Sequence, residues 1–364
     1  MDPTSHPLVV RARRLATELL LPEAERVDRE GVPASHIEAV KRSGLLGVVA
    51  PADHGGAEAP VAVLRETAEI LAGACCATWF VQTQHHTPVQ TLARGEGPVR
   101  DRLLGPLSRG ELLAGVAYAQ LRAYPRRPVR VRRQDGGWRF DGTVPWYTGW
   151  GLNDVLLLAG ATDSGEVLFA FADAREQPGL RASPPMRLAA LTAARTVSLE
   201  LDGLWLPEEA VALHLPYDRW AAGDRVRTLH ANPAVFGVAQ AALSLLDDTS
   251  AAPLRSRLAE VRRRAYDLAD RPVPRARAGA GPALPQAWVQ ERLAVRAEAF
   301  EVLRTATTAA VVAGGGRAMS LASRAQRLAR EALFLLVQGQ TAESREAQLR
   351  ALGAGPADAG EQDG

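Results

Sequence analysis

Apolar residues recur at three- and four-residue spacing through the first hundred positions, which predicts helices over about 8–29, 34–44, 60–74, 76–95 and 97–105. The breakers "REGVP" and "PADHGG" punctuate them. From about 112 the period shortens to two. "VRVRRQDGGWRFDG" alternates and turns at Asp135-Gly136-Gly137, the pattern of a β-hairpin. Short strands continue through "DVLLLAGAT", "EVLFAFAD", "LRASPP" and "RTVSLELDGLWLP". Helical spacing returns after about 226, over 229–248, 253–269, 284–313 and 317–338. The connector "DRPVPRARAGAGPALP" is too rich in proline and glycine to be helical throughout. The chain therefore divides into an all-helical domain (1–111), a β-rich domain (112–212), a block of four helices (213–352) and a tail (353–364) expected to be disordered.

Composition narrows the partners. A chain of 364 residues can bury sizeable cores, and 47% hydrophobic with 23% charged residues is a globular balance. A net charge of +2 gives no bulk attraction to nucleic acid. Lys41 is the only lysine, so the positive charge is almost all arginine, and a coding bias is a simpler account of that than phosphate recognition. The arginines between Arg255 and Arg277 could meet the phosphates of a cofactor, though a solvated helix face and loop is the simpler reading. Cys75 and Cys76 are adjacent and lack the spacing of a redox or zinc pair, so both are read as reduced helix residues. His85 and His86 point in different directions on a helix and cannot share one metal in ordinary geometry, so no metal site is expected. The amphipathic start has no unbroken apolar core, and no apolar run reaches the roughly 18 residues needed to cross a bilayer. A cytoplasmic protein is expected, with no membrane partner.

Five segments, in order, resemble the acyl-CoA dehydrogenase superfamily of flavoproteins. They are Val40 through Gly56, "LLGPLSRGELLAGVAYA", "GGWRFDGTVPWYTGWGLNDVLLLAG", "LELDGLWLPEE", and "AVVAGGGRAM" followed by "AQRLAREALFLLVQGQT". The resemblance implies an α+β multidomain fold: an N-terminal helical domain, a central small β-barrel and a C-terminal four-helix bundle. It also implies FAD (FMN as the alternative) between barrel and bundle, and a homodimer or homotetramer in which a neighbouring subunit touches the flavin. A small-molecule substrate follows, such as a CoA thioester, with a flavin reductase or an electron-transfer protein as a further partner.

Trp146, Tyr147 and Thr148 match the family's "W-I-T" triplet, whose threonine and nearby amides meet the reactive edge of the flavin. Reduction puts negative charge on that ring, so oriented donors are needed there. On their own, the two aromatics are equally well read as strand residues packing a sheet. Gly314 and Gly315 fall where the family places a Gly-Gly beside the neighbouring subunit's flavin; the plain alternative is a helix C-cap. One of His85 and His86 could look into a ligand cavity, and His230 is a weak catalytic candidate.

The pattern also breaks. Where the family has "T-E-P-x-A-G-S-D", this chain reads "QLRAYPRRPVRV", and its "M-R-G-T" turn is Leu191-Thr192-Ala193-Ala194. Gln338 stands where relatives carry the glutamate that removes the α-proton, and an amide cannot accept that proton. Some members keep the glutamate on the first bundle helix; Arg227 falls at that place, and Asp224 reaches it only in another register. Three functions are therefore expected in turn: an FAD-dependent oxidoreductase acting on the CH–CH group of an acyl-CoA or related small molecule; a flavin-dependent monooxygenase of the same fold; or a non-catalytic assembly subunit.

Overall fold

A computed structural model describes residues 2–274 and 284–354. Most of the expected disordered tail (355–364) and part of the connector, with Arg275 and Arg277, lie outside the described residues.

The first block is helical: Pro7–Leu15 (α1), Leu21–Glu30 (α2), Ala34–Arg42 (α3), Val61–Ala74 (α4), Cys76–Thr83 (α5), His86–Arg94 (α6) and Pro98–Ser108 (α7). Pro22 has no N–H to give to the carbonyl four residues back. Just before it the helix widens into a π turn, in which the Leu21 N–H bonds to the Ala16 carbonyl. The helix expected over 76–95 is two helices, parted at Gln84 and His85.

Eight strands follow: Ala114–Ala117 (β1), Val129–Gln134 (β2), Gly137–Tyr147 (β3), Val155–Ala161 (β4), Glu166–Asp173 (β5), Leu180–Ala182 (β6), Val197–Pro207 (β7) and Val211–Pro216 (β8). The hairpin turn is two residues long. Asp135 and Gly136 take left-handed φ values of 50° and 75°, and Gly137 already pairs with Gln134. The strand order is β6-β7-β3-β2-β4-β5-β8, with β1 beside β4. Phe140, Tyr147, Leu156, Leu168 and Leu199 share one interior, so the sheet rolls over a common core. Among the described residues its pairings run as an open path from β6 to β8, the form that the small central barrel takes in this chain. The other face of β4 and β5 (Leu157, Ala159, Phe169) packs on α6 and α7 through Val89 and Leu104. Burial on both faces explains the unbroken apolar run of β4.

The last block holds Tyr217–Leu229 (α8), Pro233–Leu243 (α9), Asp248–Asp270 (α10), Gln286–Gly314 (α11), Arg324–Val337 (α12) and Ala342–Ala351 (α13). α8 escaped the periodicity because its buried stripe, Trp220, Asp224 and Thr228, is largely polar. The nearly all-apolar α9 is the centre of the bundle. It crosses α4 glycine on glycine: a Cβ on Gly237 would lie 2.1 Å from the Glu69 carbonyl, and one on Gly73 would lie 2.6 Å from that of Gly237. The first and last blocks thus share one core, which contains Leu71, Trp79, Phe236 and Leu303.

Candidate functional site

β3 ends in the triplet that sequence reasoning singled out, and strand alternation separates its members. Trp146 points outward and is 55% exposed, whereas Tyr147 is wholly buried in the sheet interior. The Tyr147 side chain packs the sheet interior, the alternative reading of the two aromatics in the sequence. Its phenol accepts a 2.8 Å bond from Asn153 Nδ2, which also donates to the Thr148 carbonyl at 2.9 Å. Burial pushes the Tyr147 pKa up, so the phenol stays protonated. Gly115 on β1 leaves room for this pair; a Cβ there would sit 2.3 Å from Asn153 Nδ2. The Thr148 hydroxyl meets that of Thr196 at 3.1 Å. Asn153 Oδ1 is buried and has no hydrogen-bond partner among the described residues.

The turn that departs from "M-R-G-T" lies against this edge. Gly149 N–H bonds to the Ala194 carbonyl and Trp150 N–H to that of Arg195. Leu191 and Arg195 flank the turn in left-handed conformation, at φ 57° and 52°. Backbone strain at two non-glycine residues is the kind that accompanies shaped sites.

Gln338 ends α12. Its Oε1 accepts a 2.9 Å bond from Asn232 Nδ2, while Asn232 Oδ1 caps α9 at the Ala234 N–H, 3.0 Å away. The amide thus joins the end of one bundle helix to the start of another. At the other expected base position the structure brings together charges that sequence reasoning kept apart. Asp224, 5% exposed, is held bidentately by Arg122 at 2.7 and 2.9 Å, and Arg227 reaches the same carboxylate at 3.2 Å. Its pKa is lowered: burial raises it, and the two guanidiniums outweigh that. The carboxylate is ionised yet fully engaged, a poor proton acceptor. Arg122 comes from the segment that replaces "T-E-P-x-A-G-S-D".

The histidines are structural in different ways. His85 is fully buried, accepting from the Ala114 N–H at 3.0 Å and donating to the Leu107 carbonyl at 3.1 Å. Burial lowers its pKa to about 3 and that of His86 to about 4. His86 pairs with Gln82 through Nε2 at 2.9 Å, and its enclosed Nδ1 lacks a partner among the described residues. His230 caps α8 edge-on to Trp288, held neutral with a pKa of about 4 by burial and by Arg292, Arg65 and Arg296. Gly314 and Gly315 close α11 with Gly315 at φ 56°, and a Cβ on Gly315 would meet nothing within 4 Å. That turn packs on α11 and α12, so one chain does not unite it with Trp146 as a single site.

A cleft of about 160 Å³ opens between α6, β5 and α8, floored by Tyr118, Phe169 and Trp220 and rimmed by Arg94 and Arg227. Sequence reasoning missed Arg94 and Trp220. No group of three or more His, Cys, Asp or Glu residues poised for a metal occurs among the described residues.

Residues 3–111 match the family model described as acyl-CoA dehydrogenase, N-terminal domain. Among curated protein sequences none matches. Butyryl-CoA dehydrogenase from Megasphaera elsdenii superposes with a TM-score of 0.77 at 16% identity, over 97% of this chain and 98% of that one. A glutaryl-CoA dehydrogenase from Mycobacterium smegmatis, solved with FADH2, gives 0.74 at 18%, over 96% and 95%. Dibenzothiophene monooxygenase from Paenibacillus sp. A11-2 gives 0.74 at 16%, over 96% and 97%.

Proposed function

The chain has the acyl-CoA dehydrogenase fold, and its first domain matches that family's N-terminal domain; from this premise we propose that it is a flavin-dependent oxidoreductase of a small organic molecule. The observation that carries the reading is the edge of β3. An indole left 55% exposed is followed two residues on by Thr148, whose buried hydroxyl meets that of Thr196, and Asn153 Oδ1 is buried with no hydrogen-bond partner among the described residues. An exposed indole followed by a threonine fits an isoalloxazine ring, which FAD and FMN share, and FAD is the form proposed. The bound flavin would supply the electron-accepting chemistry. Trp146 would lie along its ring and Thr148 would orient its edge.

Of the two chemistries open to this fold, oxygenation is favoured over α,β-dehydrogenation of an acyl-CoA. Gln338 is bonded to Asn232, and Asp224 is neutralised by Arg122 and Arg227, so neither expected place offers a free carboxylate base. A second copy of the chain is the proposed partner, since Leu333 and Val337 of α12 are each 59% exposed, along with Val312 at the end of α11. A flavin reductase would deliver electrons.

Purified protein tests this directly. A flavin absorption band, no anaerobic bleaching by acyl-CoAs, and oxygen uptake when reduced flavin is supplied are the expected results. A colourless protein that takes up neither FAD nor FMN would sink the reading, and bleaching by an acyl-CoA would return the function to dehydrogenation.

A further inference from the structure

The cleft between α6, β5 and α8 has a chemical character that the oxidoreductase reading does not use. Its floor is aromatic: the ring centroids of Tyr118 and Phe169 are 5.8 Å apart, and Trp220 lies 6.5 Å from Tyr118 and 6.4 Å from Phe169. Thr87 and Thr91 from successive turns of α6 add hydroxyls to one wall. Among the described residues no carboxylate lines it, and the only charges on its lining are two guanidiniums, Arg94 at the end of α6 and Arg227 in the last turn of α8.

These cations are not balanced nearby. Arg94 is exposed and has no ion pair among the described residues. Arg227 shares Asp224 with Arg122, whose bidentate bonds are shorter, so that single carboxylate is already matched. Arg122 and Arg227 thus share one aspartate, and Arg94 has no ion pair among the described residues, so positive charge is in excess beside the apolar floor. Arginine's planar fork suits a carboxylate, which accepts two parallel N–H bonds. The volume, about 160 Å³, is below the roughly 300–1,000 Å³ of sites for drug-sized ligands and suits a compact acid.

We propose that this cleft binds a small carboxylic acid with a flat apolar body, the ring against Tyr118, Phe169 and Trp220 and the carboxylate held by Arg94 and Arg227. As the substrate class of the enzyme, this rests on the oxidoreductase reading; as a binding site it stands without it.

Calorimetric titration of the full chain with phenylacetate, phenylacetamide and coenzyme A tests the site. Phenylacetate binds, and the neutral amide binds at least tenfold more weakly, as expected when a charge-assisted pair is lost. Arg227→Gln and Arg94→Gln each lower phenylacetate affinity about tenfold or more. Neither change removes the Arg122–Asp224 pair, and an unaltered thermal midpoint verifies folding. Equal binding of acid and amide, no binding of either, or variants that bind phenylacetate like the parent would overturn the proposal. So would coenzyme A binding that the same variants abolish while phenylacetate does not bind, because the arginines would then serve phosphate. Flavin uptake is read by absorbance in the same samples. A colourless protein that binds phenylacetate keeps the cleft and loses the oxidoreductase reading; a yellow one that ignores phenylacetate does the reverse.

Discussion

Neighbouring residues at the end of β3 do opposite things, and substitutions separate them. Trp146 contributes little to the core because its indole is largely exposed, whereas Tyr147 is sealed inside. Trp146→Ala is expected to change stability by no more than about 0.5 kcal/mol. It should weaken flavin binding by up to roughly tenfold, the scale of an aromatic stacking contact of about 0.5–1.5 kcal/mol. Tyr147→Phe should do the reverse, costing about 1 kcal/mol for one lost hydrogen bond and leaving flavin affinity alone, since Asn153 Nδ2 keeps the Thr148 carbonyl. Flavin titration and denaturant unfolding of both variants check the pair. The triplet itself was legible in the sequence, but the division of its aromatics, one in and one out, was not drawn from it. Which served packing was not legible, because Asn153 reaches Tyr147 only after the chain has turned back past Gly149. Gln338 was legible as an anomaly, and its partner Asn232 lies too far along the chain for any local pattern. Gln338→Glu keeps an acceptor for Asn232 Nδ2, so the variant should fold with a midpoint close to that of the parent. If residue 338 faces the reacting carbon, the variant alone should show slow anaerobic bleaching by acyl-CoA. An unchanged spectrum would remove this residue from the site.

At the scale of elements, α11 organises its neighbours with two arginines whose hydrogen bonds go to backbone carbonyls, the one acid near them among the described residues being Glu291, 3.9 Å from Arg292. Arg292, 2% exposed, donates to the Leu268 carbonyl at 2.6 Å at the end of α10 and stacks on Trp288, 3.5 Å from the ring centroid. One turn on, Arg296 donates to the carbonyls of Thr228 at 2.7 Å and His230 at 3.0 Å, at the end of α8. Each guanidinium fills orphan carbonyls at a helix C-terminus, where the dipole is negative. This explains how two buried cations are tolerated, although burial, the first cause, still lowers the Arg296 pKa to about 10. Arg296→Met should cost about 2 kcal/mol in chemical denaturation and raise hydrogen exchange in the last turn of α8. An unchanged midpoint would show that water satisfies those carbonyls equally well. Such contacts explain why α11 was read correctly from its length and apolar spacing while α8 was not. α8 buries Asp224 and Thr228 because Arg122 and Arg296 meet them, and a stripe stabilised by polar partners has no hydrophobic period to find.

The whole molecule joins its first and last helical blocks through one core, so a proton-linked change in either should register in a single unfolding transition. Four enclosed histidines make that linkage testable: His85, His86 and His230, and His36, whose pKa burial lowers as well. An unfolded histidine takes up its proton near pH 6.5, whereas burial delays His85 to about 3 and both His86 and His230 to about 4. Their contribution is fully present above pH 6.5 and is lost as pH falls from there towards 4, because the unfolded chain then binds more protons. Each histidine adds a slope of up to about 1.4 kcal/mol per pH unit in that window, about 4 for His85, His86 and His230 together, and His36 adds in the same direction. Glu69 and Glu331 act the other way: burial raises both, so the folded state holds their protons more tightly. Their arginine partners, Arg262 and Arg327, limit that opposition. The expected outcome is therefore a urea midpoint that drops between pH 7.5 and 5, with the steepest fall below 6.5. His86→Gln should flatten the dependence by roughly a quarter to a third, since Gln82 still has an amide to meet and one of four titrating rings is gone. A midpoint that is level or rising over the same range would mean that these rings reach water in the folded protein. The enclosed environment assigned to His85 between Leu107 and Ala114, which also anchors β1 to α7, would then be wrong.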